Sequence, residues 1–243
     1  MLEVKNLKKN FGDFVAVKGV SFSVKEGEVL GFLGPNGAGK STTMRMITGF
    51  LPPASGTAVI NGHDISIDPI AAKEDIGYLP ESAPSYRAMT VKEYLTFISS
   101  VRSSRCPDPA KAVADVISLA KLEGKANQTI ETLSKGYRQR TAFAAAILHD
   151  PKVLIMDEPT DGLDPNQKFT VRGMIKDMAA RGKAIIISTH ILEEVDAVCS
   201  KVVVISDGEV KFEGTPEGLK AQDPSGNARL DEAFRALTTK EVK

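Results

Sequence analysis

Eight consecutive residues, Gly34, Pro35, Asn36, Gly37, Ala38, Gly39, Lys40 and Ser41, carry the first chemistry legible in the chain. They match the pattern GxxxxGK[ST] and stand where its mechanism needs them, after an apolar stretch and before a helical one. Glycines at 34, 37 and 39 let the backbone curl so that its N–H groups point at phosphate oxygens. The N-terminus of the following helix adds positive potential at the same spot. Lys40 is then expected to reach the β- and γ-phosphates of a nucleotide. Ser41 is expected to ligate Mg²⁺, and Thr42 continues the cradle. The bland reading, a glycine-rich turn that matches by chance, is disfavoured by this placement.

Further on, Val153-Leu-Ile-Met156 is an apolar run that ends in Asp157 and Glu158. A strand of a parallel sheet delivers its C-terminal residues to the ligand crevice. Asp157 is thus placed to hold Mg²⁺ through water, and Glu158 to take a proton from an attacking water. Alone, such a pair is common as a solvated strand end; the phosphate loop is what gives it meaning. His190 follows Ile185-Ile-Ile-Ser-Thr189 and reaches the same crevice edge. A lone histidine there is more often a capping or packing residue. His63 and His149 lack such a context, and the three histidines have no metal-ligand spacing.

The elements that must position these groups read as follows. Val20–Val24 alternates with period two, Val29–Leu33 is largely apolar, and Glu26-Gly27-Glu28 is a turn between them. Met44, Ile47 and Thr48 share a helix face that Gly49 ends. A loop from Pro52 to Gly56 precedes a short strand, Ala58–Ile60, and an Asn61-Gly62 turn. Thr90 and Glu93 form a capping box ahead of the stripe Val91, Leu95, Ile98 and Val101. Asp108-Pro109 starts a second helix with Val113, Val116, Ile117 and Ala120 on one face, and a third is expected from about Gly136 to His149. Val153–Met156 and Ala184–Ser188 read as strands buried on both faces, a helix starts at Asp164-Pro165, and Val202 to Phe212 reads as a hairpin around Asp207-Gly208. The expected fold is α/β: a parallel-sheet core at 1–81 and 150–220, an inserted helical part at 82–149, and a linker with a last helix at 221–243.

Lys+Arg and Asp+Glu both number 31, so no net field points to a nucleic acid or an anionic membrane. The longest apolar run, Ala142–Leu148, is far shorter than the about 20 residues a membrane-spanning helix needs. Met1 to Asp13 carries no apolar core of a secretory signal. Cys106 and Cys199 lie far apart without a CxxC, which suits free thiols in a reducing, cytoplasmic setting.

Leu133-Ser134-Lys135-Gly136-Tyr137-Arg138-Gln139-Arg140 resembles the signature sequence of ABC ATPases and stands just upstream of the Asp157-Glu158 strand, as in that family. The resemblance covers about residues 1–220 and is carried by five ordered motifs. Tyr78-Leu-Pro-Glu81, the signature and the tail Leu230–Thr238 are similar to the branch that serves ABC-2-type permeases, including gliding-motility and sodium- or drug-export subunits. It implies a P-loop (RecA-like) core with an N-terminal antiparallel β portion, and ATP with Mg²⁺ as ligands. Phe11 would stack on adenine, Asp164 would belong to the D-loop, and His190 would contact the γ-phosphate. Ser41, Glu81 and Asp157 would serve Mg²⁺. Catalysis would rest on Lys40, Glu158 and His190. Two cassettes would face head to tail, each ATP lying between one copy's phosphate loop and the other's Ser134 and Gly136. A membrane-spanning permease would dock near residues 82–105, leaving the chain peripheral on the cytoplasmic face of the membrane.

Three departures stand out. Glu81 replaces the usual Gln and adds negative charge near Glu158 and the phosphates, which predicts slow or pH-sensitive hydrolysis. Lys135 and Tyr137 replace the usual Gly and Gln, so Lys135 either attracts the γ-phosphate or is solvated. Phe11 replaces the commoner Tyr at little cost, since stacking uses the ring face. The alternative reading is a non-transport ABC ATPase that regulates a membrane or cell-wall complex; a different P-loop enzyme would not need Leu133–Arg140.

Overall fold

The computed structural model describes residues 1–83, 85–223, 225–227 and 229–239. The first part runs β1 Leu2–Phe11, β2 Phe14–Val24, β3 Val29–Leu33, α1 Lys40–Ile47, β4 Ser55–Ile60, β5 His63–Asp64, α2 Pro69–Glu74 and β6 Ile76–Leu79. Helices α3 Val91–Val101, α4 Pro109–Leu119 and α5 Lys135–Ile147 follow. The chain then forms β7 Val153–Asp157, α6 Pro165–Ala180, β8 Ala184–Thr189, α7 Leu192–Val198, β9 Lys201–Ser206, β10 Glu209–Gly214, α8 Pro216–Lys220 and α9 Leu230–Thr238.

Two sheets result. One is antiparallel, in the order β2-β1-β4-β5; the other is β10-β9-β3-β8-β7-β6, parallel except where β10 meets β9. Strand β3 and strand β8 are wholly buried, as continuous apolar strands covered on both faces must be. The sheets and α1 share one apolar cluster that includes Leu2, Val17, Phe22, Phe32, Met44 and Ile155, with the Phe22 and Phe32 rings 5.3 Å apart. Register decides where chemistry collects. Leu33 pairs with Thr189 and Asp157 pairs with Ser188, so three strands end side by side just before the phosphate loop, Glu158 and His190.

Helices α3, α4 and α5 cover the other face of the parallel sheet; Leu95, Val116, Ile130 and Phe143 share a cluster with Leu154, Met156 and Ile185. Their starts are fixed locally. Thr90 Oγ accepts the Glu93 N–H at 3.2 Å while the Thr90 N–H donates to Glu93 Oε2 at 2.8 Å. Asp108 Oδ1 accepts the Lys111 N–H at 3.0 Å. At the end of the chain, Leu230 and Ala233 of α9 pack on Val202 and Val204 of β9. Asp223 accepts from the N–H groups of Ser225 and Arg229 at 2.8 and 2.9 Å, closing a segment that composition marks as a linker. Pro224 and the last four residues of the expected tail lie outside the described residues.

Several elements go beyond what periodicity indicates. Strand β1 is hidden because register shifts near Leu7 break its alternation. Strand β6 is four residues at a sheet edge, too short to show a period. Helix α2 has the same Asp-Pro start as α4, with Asp68 accepting from the Ala71 N–H. The third insert helix begins at Lys135 and ends at Ile147, so His149 lies beyond it.

Candidate nucleotide site

Two glycines of the loop between β3 and α1, Gly34 and Gly39, leave no room for a larger residue. A Cβ on Gly34 would come within 2.4 Å of the Ile205 carbonyl oxygen. Gly39 has φ +102°, and a Cβ there would meet the Ala16 oxygen at 2.7 Å. Lys40 is buried, and its Nζ folds back to donate to the Gly34 and Pro35 oxygens at 2.7 and 3.3 Å. Burial draws the Lys40 ammonium below the ordinary lysine range, while Glu158, Asp157 and Glu81 pull it the other way.

Glu158 is the pivot of the arrangement. Its φ of +49° is left-handed, rare for a residue with a side chain. The Glu158 N–H donates to the Ser188 oxygen at 3.1 Å and to Ser188 Oγ at 3.3 Å, which holds the turn. Ser188 Oγ donates in turn to the buried Asp157 carboxylate. Glu158 Oε1 lies 3.0 Å from His190 Nδ1 and 3.9 Å from Lys40 Nζ. Glu158 Oε2 is buried with no partner among the described residues, an acceptor left open in the site.

These groups face a cleft of about 490 Å³ lined by Phe11, Pro35, Asn36, Gly37, Gly39, Lys40, Ser41, Thr42, Glu81, Glu158 and His190. That volume suits a nucleotide-sized ligand. Gly34 is packed behind the loop against Ile205, and Ala38 is buried. Asp157 lines an adjoining cavity of about 370 Å³ together with Glu81, Glu158 and Lys135. Ser134, Gly136 and Asp164 do not line the cleft. Ser134 is exposed at the start of α5 and its hydroxyl does not cap the helix. Gly136 packs on the Gln167 side chain, and Asp164 caps α6 by accepting the Gln167 N–H at 3.0 Å. Lys135 Nζ lies 3.6 Å from Asp161 Oδ2, so it faces an acid of its own chain and is only half solvated.

Sequence reasoning missed Phe14, Asp161 and Ser188. Phe14 pairs with Phe11 across the Gly12-Asp13 hairpin turn, and both rings are more than half exposed at the cleft. The Phe-Gly-Asp-Phe turn was the available signal. Nothing short-range marks Ser188, which register alone brings to Asp157. Ser41, Glu81 and Asp157, which the resemblance assigns to Mg²⁺, offer oxygen alone, and such oxygens suit a hard divalent cation. His63 stays outside the cleft, 3.4 Å from Asp68. His149 is buried against the Ile76 oxygen at 3.0 Å. Among the described residues no helix is long and apolar enough to cross a membrane.

Residues 17–161 match the family profile described as ABC transporter. The linearmycin resistance ATP-binding protein LnrL of Bacillus subtilis is 38% identical over 219 residues, covering 90% of this chain and 70% of that protein. A solved structure of an ATP binding subunit of an ABC transporter superposes with TM-score 0.87 at 30% identity, covering 98% of this chain and 100% of that one. A dimeric, post-hydrolysis ATP-binding cassette bound to ADP and Pi gives TM-score 0.78 at 26% identity, covering 88% and 98%.

Proposed function

Since this chain belongs to the ABC transporter family as an ATP-binding, ATP-hydrolysing subunit, we propose that two copies, or one copy and a homologous cassette, close head to tail around two ATP molecules and drive a separate membrane-spanning export permease. The observation that carries this reading is the separation of the anion-binding groups. Gly37, Lys40, Ser41, Glu158 and His190 line one cleft, while the exposed Ser134, with its hydroxyl unused by its own helix, lies away from it. A helix start with free N–H groups is a second anion-binding end. It serves a γ-phosphate held by another copy.

In this reading Phe11 stacks on adenine and residues 34–42 wrap the phosphates. Lys40 neutralises the β- and γ-oxygens, and Glu158 accepts the proton of the attacking water through its open oxygen. His190 holds Glu158 and contacts the γ-phosphate. Ser41, Glu81 and Asp157 hold Mg²⁺, which when bound offsets charge between the phosphates. Asp164 and the signature segment belong to the closing interface. Loss of the γ-phosphate removes the bridge between copies and lets them part.

The helical part, residues 82–149, offers the permease contact. An apolar groove of about 710 Å³ is lined by Phe50, Tyr78, Ile98 and Val101, and Phe50 and Val101 are largely exposed. It adjoins the segment 82–105 and fits a short helix from the cytoplasmic side of a permease. That partner would keep the chain peripheral on the cytoplasmic face of the membrane. The name of LnrL, a resistance protein, favours an export cargo.

The test is assembly. Glu158→Gln protein given ATP is expected to run as a dimer by light scattering, and wild-type protein to pull down a co-expressed permease. Protein that stays monomeric with ATP bound, with Glu158 disabled and magnesium omitted, and that no permease brings into pairs, would overturn the reading.

A further inference from the structure

Helix α6 touches several parts of the site at once. Its first turn is capped by Asp164, its Gln167 packs on Gly136, and its Arg172 grips α7. Arg172 Nη2 donates to Glu194 Oε1 at 2.7 Å and Nε to Glu194 Oε2 at 3.1 Å, a two-pronged hold. Nη2 also reaches Glu193 Oε1 at 2.9 Å. Glu194 is only 1% exposed. Its N–H donates to the Ile191 oxygen at 3.1 Å, and Ile191 directly follows His190. The fork therefore ends one tight turn from the imidazole that lies 3.0 Å from Glu158.

We propose that Arg172 is a positioning residue, which through Glu194 fixes α7 and so keeps His190 aimed at Glu158. A buried ion pair contributes little net stability over a well-packed apolar pair. What a planar guanidinium adds is direction, since both N–H groups must meet both carboxylate oxygens. The same helix contacts Gly136, so the hold also ties the His190 end of the cleft to the segment that meets a second copy's ATP. Arg172 does not line the cleft; it acts through Glu194 and His190. The inference rests on the role given to His190 above.

A double-mutant cycle separates this role from plain structural support. Single-turnover ATP hydrolysis and ATP affinity are measured for the parent, Arg172→Met, His190→Ala and the double variant. Arg172→Met is expected to keep ATP affinity and lose up to about 10²-fold in hydrolysis, the scale of a misplaced catalytic group. With His190→Ala already present, Arg172→Met is expected to cost nothing more. Arg172→Lys keeps the charge without the fork, should give an intermediate rate, and serves in place of Arg172→Met if that variant does not fold. The His190 imidazole NMR signal is expected to move in either Arg172 variant. Additive losses, a parental rate in Arg172→Lys, or an unmoved imidazole signal would overturn the inference. If His190→Ala alone leaves hydrolysis intact, the role of His190 falls first and takes this inference with it.

Discussion

His190 Nδ1 and Glu158 Oε1 stand 3.0 Å apart, although 32 positions separate them in the chain, because β7 and β8 run parallel and end in register. The imidazole and, at 3.9 Å, the buried Lys40 ammonium face one Glu158 oxygen and leave the other with no partner among the described residues. A carboxylate held in this way keeps one acceptor free for a water. Glu158→Gln keeps the shape and the His190 contact but removes the basic oxygen. Steady-state hydrolysis is expected to fall by about 10²–10⁴-fold, the usual worth of a general base, with ATP binding retained. Near-normal phosphate release would show that Glu158 has been given the wrong role. Lys40→Ala is expected to weaken ATP binding itself, read by titration calorimetry.

The phosphate loop, Asp157-Glu158 and His190 were legible because each ends an apolar run that only a strand explains. The signature was legible by resemblance, yet nothing local told that Ser134 lies away from its own chain's cleft. What stayed hidden depends on distant pairing. Ser188 meets Asp157 by register, Arg172 meets Glu194 across two helices, and register shifts disguise β1. Lys135 was open between a phosphate and solvent; in the folded chain it faces Asp161.

Two exposed rings at the mouth of the cleft predict a divided stacking surface. Phe11 and Phe14 pair in register at the hairpin end and both line the cleft, and Lys9 Nζ lies 5.5 Å from the Phe11 ring centre. Phe11→Ala is expected to raise the ATP Kd by about two- to tenfold, as stacking of about 0.5–1.5 kcal/mol implies. Phe11→Tyr should leave it unchanged. An unchanged Kd in Phe11→Ala together with a raised one in Phe14→Ala would move adenine to the second ring.

His149 contributes to the acid sensitivity of the fold. Its Nε2 meets the Ile76 oxygen at 3.0 Å, and burial first, then the Arg102 charge, pushes the imidazole from its ordinary 6.5 down to about 4. The unfolded chain therefore takes up a proton that the folded chain refuses. This contribution to stability is complete above about pH 6.5 and is lost as pH falls towards about 4. The loss amounts to up to about 3 kcal/mol. Urea midpoints measured between about pH 7 and about pH 4.5 should fall steeply in the parent and less steeply in His149→Gln. Equal slopes would show that other groups carry the acid sensitivity.

Glu81 follows β6 and lines both the nucleotide cleft and the adjoining cavity that holds Asp157, and its charge reaches the Lys40 ammonium. Three carboxylates, Glu81, Asp157 and Glu158, thus gather where a triphosphate must also fit. A carboxylate at 81 holds Mg²⁺ more strongly than an amide would, but it repels the phosphates and the developing charge of the reaction. Glu81→Gln is therefore expected to raise turnover by about fivefold, the effect of about 1 kcal/mol of relieved repulsion at a solvated site. It should also demand more Mg²⁺ for half-maximal rate and change the pH profile of hydrolysis, because one negative charge has gone from beside Lys40 and Glu158. Initial rates across pH and Mg²⁺ concentration decide the matter. If rate and pH profile match the parent, Glu81 is a neutral replacement for the usual glutamine and sets no part of the hydrolysis rate.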